Sequence, residues 1–308
     1  MAKQGKLRIK LEYLLARSLV TSMGILPRGL ALRVGEALGR LGYFFTGRLR
    51  RTGERNLQIA FPELTDEERR RLLVRSFESL GRLLAEFSQF PKLRAEQLRQ
   101  LIEYDEVGLS HLRQAEADQR GVIFLTGHIG AWEVLSFGWS ALEYPISFLV
   151  RPLDNPLVEE MIERIRTRFG NRAIDKKSAA RQALRVLREG GTLGILSDLN
   201  TQEFEGVFVP FFGKLACTNA GIATLALKTD AVVIPTCAVW DAGKRRYFFH
   251  GDAPVELIRT GDHQRDVELN TSRFAAAVER MVRLYPDQWL WIHKRWKTRP
   301  PGEADLYK

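Results

Sequence analysis

Val122-Ile123-Phe124-Leu125-Thr126 runs directly into Gly127-His128-Ile129-Gly130-Ala131-Trp132-Glu133. The first five residues form a short apolar run of the kind found in strands buried on both faces. Two glycines interrupt it, and from Ala131 the apolar positions take up helical spacing. A strand that turns abruptly into a helix is the repeating unit of an α/β sheet. The same grammar extends along the chain. Apolar runs at 146–150, 192–197 and 232–239 read as strands, with helical patterns at about 131–141, 156–169, 178–190 and 219–228. Residues 247–250 add a further strand and 270–285 a late helix. Upstream, Thr65-Asp66-Glu67-Glu68 reads as a capping box opening a long helix with Leu72, Leu73, Phe77, Leu80, Leu84 and Phe87 on one face, which Pro91 ends. The expected fold is α/β: a helical N-terminal portion, then a mixed, largely parallel sheet covered by helices.

The chain has 308 residues, 45% of them hydrophobic and 27% charged, which excludes a disordered or collagen-like protein. Cys217 and Cys237 cannot form a disulfide framework, so a reducing compartment is the default. The five histidines show no zinc-site spacing, and no metal is expected. The net charge of +10 is unevenly placed. Residues 1–60 hold twelve Lys/Arg against Glu12, Glu36 and Glu54, so nearly all the excess is N-terminal. Such an arm suits nucleic acid or an anionic membrane surface.

Its pattern separates the two. Leu7, Leu11, Leu14, Leu15, Leu19, Ile25 and Leu26 follow helical spacing, with Lys3, Lys10 and Arg17 on another face. After Leu26-Pro27 the pattern restarts with Leu30, Val34, Leu38, Leu41 and Phe45. The longest uncharged stretch, residues 18–27, falls well short of the ~18 to 20 apolar residues that span a bilayer. Glu12 and Arg17 interrupt any signal-peptide core, and no cleavage site follows. The reading is an amphipathic anchor lying in the interface. The competing reading is two ordinary helices packed on the core.

His128 stands where ligands collect in α/β sheets, at the carboxyl end of a strand. Glu133, in the first turn of the next helix, can fold back to fix the imidazole tautomer and raise its basicity. Gly127 and Gly130 permit tight turns and leave backbone N–H groups near a reacting carbonyl. With no G-x-S-x-G elbow, P-loop or dinucleotide fingerprint, a base without its own nucleophile suits attack by a substrate hydroxyl on an activated acyl group. Acyl transfer is the expected reaction class.

The motif Gly127-His128-Ile129-Gly130-Ala131-Trp132-Glu133 resembles the H-x4-D/E signature of the lysophospholipid acyltransferase-like superfamily, in particular its late lipid A acyltransferase branch. Asn56-Leu57-Gln58-Ile59-Ala60-Phe61-Pro62 resembles that branch's N-x-x-x-A-F-P element, Arg151-Pro152-Leu153-Asp154-Asn155-Pro156 its R-P-x-D-N-P segment, and Phe208-Val209-Pro210-Phe211-Phe212-Gly213 its F-V-P-F-F-G loop. Trp291-Ile292-His293-Lys294-Arg295-Trp296-Lys297-Thr298-Arg299-Pro300 resembles its closing segment. Five elements in order cover nearly the whole chain. Ser197-Asp198-Leu199-Asn200 departs from the branch's P-D-Q or P-D-H element, keeping only the aspartate, which leaves the acceptor open.

The resemblance implies a glycerol-3-phosphate acyltransferase-like mixed sheet, with residues 1–55 a membrane-associating helical segment and 56–308 the acyltransferase domain. It implies a catalytic His128–Glu133 dyad with no cofactor and no covalent acyl-enzyme. Arg151, Asp198 and Arg295 become candidates for binding the substrate. The implied partners are acyl carrier protein or acyl-CoA as donor, an anionic glycolipid acceptor and the membrane surface, at the cytoplasmic face of the bacterial inner membrane. Lipid A precursors, phosphatidylinositol mannoside-like glycolipids and lysophospholipids are the possible acceptors. Residues 207–212 read either as a wall of an acyl channel or as an edge strand. Trp289, Trp291 and Trp296 among Lys294, Arg295, Lys297 and Arg299 also carry a second class of reading, a non-catalytic basic protein binding membrane or nucleic acid.

Overall fold

Alternation along the central strand sets the layers of the molecule. The structure, a computed structural model, describes residues 5–150, 153–175 and 179–308. Helices α1 (Lys6–Ile25), α2 (Arg28–Phe45), α3 (Gly47–Ala60), α4 (Asp66–Gln89), α5 (Ala95–Leu101) and α6 (Glu106–Ala117) precede the main strands, with β1 (Ile102–Tyr104) between the last two. Then follow β2 (Val122–Thr126), α7 (Trp132–Ala141), β3 (Ile146–Val150), α8 (Pro156–Arg166), β4 (Arg172–Asp175), α9 (Ala179–Arg188) and β5 (Thr192–Leu196). Hairpin β6 (Gly206–Phe211) and β7 (Lys214–Asn219), α10 (Gly221–Thr229), β8 (Val232–Asp241), β9 (Arg246–Gly251) and α11 (His263–Leu284) complete the fold.

Seven strands form one sheet in the order β1-β9-β8-β2-β5-β3-β4. All neighbours are parallel except β8 and β9. All five residues of β2 are buried. Ile123 and Leu125 pack with α9, α10 and α11, while Val122 and Phe124 pack with α4, α6 and α7. This two-sided burial is why the strands read as continuous apolar runs rather than alternating ones. The late helix begins seven residues earlier than its sequence pattern suggests, at His263, because Asp262 caps it by accepting from the amides of Gln264 and Arg265.

The Thr65–Glu68 capping box opens α4 as expected. Against α4 lies α2, through small residues. A Cβ placed on Gly39 would meet the Phe77 carbonyl oxygen at 2.1 Å, and one on Gly81 the Gly35 oxygen at 1.9 Å. Arg28 grips buried Glu86 through two nitrogens, at 2.5 and 3.2 Å. The inward face of α2 is therefore Ala31, Leu32 and Gly35, and the apolar stripe read from the sequence largely faces outward. Phe45 is 83% exposed, with Leu30, Leu38, Leu41 and Phe44 also exposed. On α1, Leu7, Leu11, Leu14, Leu15, Leu19 and Ile25 are exposed too. Its other side is held down: Gln89 donates to the carbonyls of Met23 and Leu26, and Asn155 to that of Ile9. Among the described residues no helix is long and apolar enough to cross a membrane. Helix α3 runs unbroken through residues 55 and 56.

Candidate active site

The loop after β2 is fixed before any side chain is considered. Gly130 has φ +59°, and a Cβ there would meet the Ala238 oxygen at 2.0 Å, so both conformation and space favour glycine. Its amide donates to the Gln288 carbonyl at 2.8 Å and that of Ala131 to the Ala238 carbonyl at 2.7 Å. The Ile129 amide bonds the Gly127 carbonyl, and the His128 amide bonds a carboxylate. All four N–H groups from His128 to Ala131 are thus engaged within the protein. The expectation that this loop offers free amides to a reacting carbonyl is corrected for Gly130.

That carboxylate belongs to Asp198. Strands β2 and β5 pair in register from Val122↔Thr192 to Thr126↔Leu196, and the ladder continues as Ser197 N–H donates to the Thr126 carbonyl. The residues after both strands therefore emerge side by side. Asp198 Oδ1 lies 2.8 Å from His128 Nδ1, and Oδ2 accepts from the His128 amide and from Trp289 Nε1, each at 2.7 Å. A Cβ on Gly127 would stand 3.0 Å from this carboxyl, so the glycine makes room for it.

Asp198 is 1% exposed. Burial alone would raise its pKa, but the charge and hydrogen bond of His128, then the Trp289 and backbone donors, together bring it down to about 2. Burial alone would lower the His128 pKa. The Asp198 charge and hydrogen bond, then the Glu133 charge, turn the balance upward from the usual 6.5. The Trp132 ring meets the imidazole edge-on with centroids 5.0 Å apart. Nε2 has no hydrogen bond to any described residue.

Glu133 does not reach the imidazole as the sequence suggests. Its carboxylate makes a bidentate ion pair with Arg166, at 2.5 Å to Nη2 and 2.9 Å to Nε. The correction has a simple cause: Arg166, in the last turn of α8, faces the first turn of α7, and a guanidinium fork matches a carboxylate better than one ring nitrogen does. Sequence reasoning missed Arg166. The available signal was electrostatic, since a carboxylate at a partly buried helix start calls for a cation.

Asp198, assigned from the sequence to the substrate, instead holds the histidine. Arg295 is also corrected. It is 1% exposed, and its guanidinium donates to the carbonyls of Leu199 and Cys217 and to Thr218 Oγ1, over the Phe211 ring. Desolvation lowers its pKa to about 10. It braces the loop carrying Asp198 and does not face outward. Arg151 lies outside the described residues. His293 Nε2 accepts from the Asn200 amide at 3.0 Å, and Asn200 exchanges hydrogen bonds with Thr298, so the unusual Leu199-Asn200 pair is fitted to the closing segment. Asn56 donates to the carbonyls of Trp291 and His293. Trp289, Trp291 and Trp296 are buried and offer no stacking groove. Residues 207–211 lie in β6, which pairs with β7 in a two-stranded sheet separate from the main one, with Val209 and Phe211 in the core, so they are not an edge strand of the main sheet.

Two largely apolar cavities flank the carboxyl ends of β3 and β5 and share Leu149, Ile195 and Leu196. One, of about 220 Å³, is lined by Trp132, Phe148, Leu153 and the Glu133–Arg166 pair. The other, of about 510 Å³, is lined by Ala183, Leu184, Ile222 and Leu225 with Ser197 and Asn200.

Residues 2–298 match the family described as bacterial lipid A biosynthesis acyltransferase. The chain is 30% identical to the lipid A biosynthesis lauroyltransferase of Escherichia coli strain K12 over 291 residues, covering 92% of this chain and 90% of the relative. It is 28% identical to the palmitoleoyltransferase of the same organism, with the same coverage, and 26% identical to its myristoyltransferase, over 88% of this chain and 83% of the relative. A conserved reading across nearly the whole length, with the sheet and the histidine loop inside it, places the chain in the bacterial lipid A biosynthesis acyltransferase family, and it is an acyltransferase.

Proposed function

We propose that the protein transfers a fatty acyl group from a thioester of acyl carrier protein or coenzyme A to a hydroxyl of a lipid A precursor or related anionic glycolipid. His128 acts as general base. Its Nε2 takes the proton of the acceptor hydroxyl as that oxygen attacks the thioester carbonyl. The thiol then leaves with the proton, and the ester remains on the acceptor. The observation carrying this reading is the state of the imidazole, with Nδ1 held by a buried carboxylate and Nε2 without a hydrogen-bond partner among the described residues. In this reading Asp198 takes the orienting role first given to Glu133. Glu133 contributes its charge to His128 and, with Arg166, a polar rim to the smaller cavity, which receives the acyl chain. Arg151, by resemblance, contacts the acceptor.

Residues 1–55 associate the enzyme with the cytoplasmic face of the inner membrane, ahead of an acyltransferase unit at 56–308. Support comes from the outward apolar side chains of α1 and α2 on the most basic part of the chain. The test is acyl transfer by wild-type and His128→Ala protein, with acyl carrier protein thioester as donor and a lipid A precursor as acceptor. Loss of roughly 10²-fold or more is expected, the scale of a positioned base. Near-wild-type turnover would overturn the assignment.

A further inference from the structure

Burying Arg295 removes the cation that the sequence offers for a lipid phosphate, and the structure supplies others nearby. Arg48, Arg51 and Arg55 lie on one side of α3 at spacings of three and four, so that they neighbour one another along the helix. With Lys294 and Tyr307 they line a cleft of about 250 Å³ between α3 and the C-terminal segment, and no Asp or Glu lines it. Arg48 and Arg51 are exposed, and neither pairs with any carboxylate among the described residues.

Three local features make this arrangement unfavourable when empty. Like charges three and four apart on a helix repel. The first turn of α3 holds no acidic residue but does hold Arg48, opposite to what the helix dipole favours. No carboxylate side chain stands among the cations of the cleft, which also include Lys308. One bound anion would offset all three.

The groups are also held ready. Arg55 Nε donates to the Leu306 carbonyl at 2.7 Å, which leaves its terminal nitrogens for a ligand. Lys294 Nζ stands 5.1 Å from the centre of the Tyr307 ring, whose hydroxyl donates to Asn56 and accepts from the Trp296 amide. Arginine forks and a lysine point charge together suit a phosphate monoester. The setting identifies a lipid source: Phe44, Phe45 and Leu49 are exposed immediately beside Arg48, placing apolar and basic groups in the order of the acyl and headgroup layers. Lys294 follows His293, which bonds the Asn200 amide two residues past Asp198, so the cleft adjoins the catalytic loop.

We infer that this cleft binds the phosphate of an anionic lipid headgroup. The inference rests on the reading of the protein as an acyltransferase acting on such lipids. The test uses Arg48→Gln/Arg51→Gln, since neither side chain makes a hydrogen bond or ion pair with the described residues. In detergent, a phosphorylated acceptor glycolipid and its dephosphorylated form are compared. In a second arm, protein is floated with phosphatidylcholine vesicles with and without phosphatidic acid. If the phosphate is the acceptor's own, the variant raises the acceptor KM roughly tenfold or more for the phosphorylated form alone, with kcat and the donor KM unchanged, as expected for a lost charge-assisted contact. If it belongs to the surrounding lipid, the variant instead loses the extra flotation that phosphatidic acid confers. Wild-type behaviour in both arms, equal losses with neutral lipids, or a change confined to the donor KM overturns the inference. A wild-type protein inactive in every assay would sink the acyltransferase reading while the flotation arm still tests the cleft.

Discussion

At the carboxyl edge of the sheet, charges are drawn inward and satisfied; at the N-terminal helices, apolar side chains are turned outward and left bare. Asp198 is almost wholly buried yet accepts three hydrogen bonds, and Glu133 is matched by Arg166. On α1 and α2 the inward contacts are made by a few apolar residues such as Met23, Leu32 and Tyr43, by glycines and by polar anchors, while most of the leucines and both Phe44 and Phe45 face away. A protein stable in water alone would favour the reverse arrangement for those helices. The first region is complete within the chain. The second leaves an apolar face exposed, which on the function proposed above meets the membrane.

Removing the carboxylate on each side of His128 should produce the largest effect and sharpen the account of the first region. Asp198→Asn leaves the imidazole buried without its counter-charge, so the His128 pKa should fall. A base must be neutral to act. If His128 is the base, the acid limb of kcat/KM should therefore sit above the ordinary histidine value of 6.5 in the wild type and move to lower pH in the variant. The plateau kcat should drop by roughly 10²-fold, because the tautomer is no longer fixed. Glu133→Gln should move the limb less, since Asp198 is the stronger influence on the imidazole. A larger shift from Glu133→Gln would restore the local pairing read from the sequence. The sign for stability is also defined. The Asp198 contribution is present above the usual aspartate range and is lost as pH falls toward about 2. The His128 contribution is present at low pH and is lost as pH rises through its raised value.

Legibility in the sequence follows the same division. Strands β2 and β8 were readable because burial on both faces demands unbroken apolar runs, and β3, β5 and β9 because their short runs are rich in apolar residues. The edge strands β1 and β4 were not, being three and four residues long and containing Glu103 and Arg172. His128 was readable from its place after a strand. Its partner was not, because Asp198 lies 70 residues away and only the β2–β5 register brings the two together. A local search finds Glu133 instead. Arg295 was misread for a related reason. Alternating tryptophans and cations resemble an exposed binding strip, whereas here the tryptophans fill the core and the two terminal guanidinium nitrogens donate to three protein acceptors. In the N-terminal helices the spacing was legible, but not which way the stripe faced. The glycine contacts of α2 with α4 decide that for α2, and the hydrogen bonds from Gln89 and Asn155 to backbone carbonyls decide it for α1.

Those outward side chains provide the next test. Leu7, Leu11 and Leu15 are respectively 73%, 52% and 72% exposed, so replacing them with Gln removes little from the folded protein. Burying a leucine fully is worth about 1.5–3 kcal/mol, and partial burial at an interface somewhat less. Leu7→Gln/Leu15→Gln should therefore weaken vesicle flotation by roughly tenfold or more. Activity on bilayer substrate should fall with it, while activity on detergent-dispersed substrate and the melting temperature stay near wild type. Deleting α1 outright would be a poorer experiment, because Met23 is buried and its carbonyl is tied to Gln89. Unchanged flotation would show that the bare face has some other use.

The smallest effect expected is that of salt, and it separates the two components of the attachment. A basic side chain near an anionic surface contributes about 1 kcal/mol, which fades as the screening length contracts from about 10 Å at 0.1 M salt toward 3 Å at 1 M. Apolar burial is not screened. On vesicles containing phosphatidylglycerol, raising salt over that range should lower flotation only severalfold and leave a plateau. The exposed leucines should set that plateau, so in Leu7→Gln/Leu15→Gln protein the same salt step should release nearly everything. Complete release of wild-type protein by salt would mean that charge alone holds it, and the outward leucines would then have no part in binding. No salt response at all would separate the N-terminal basicity from the membrane, leaving the arginines of α3 to act on the substrate rather than on the surface.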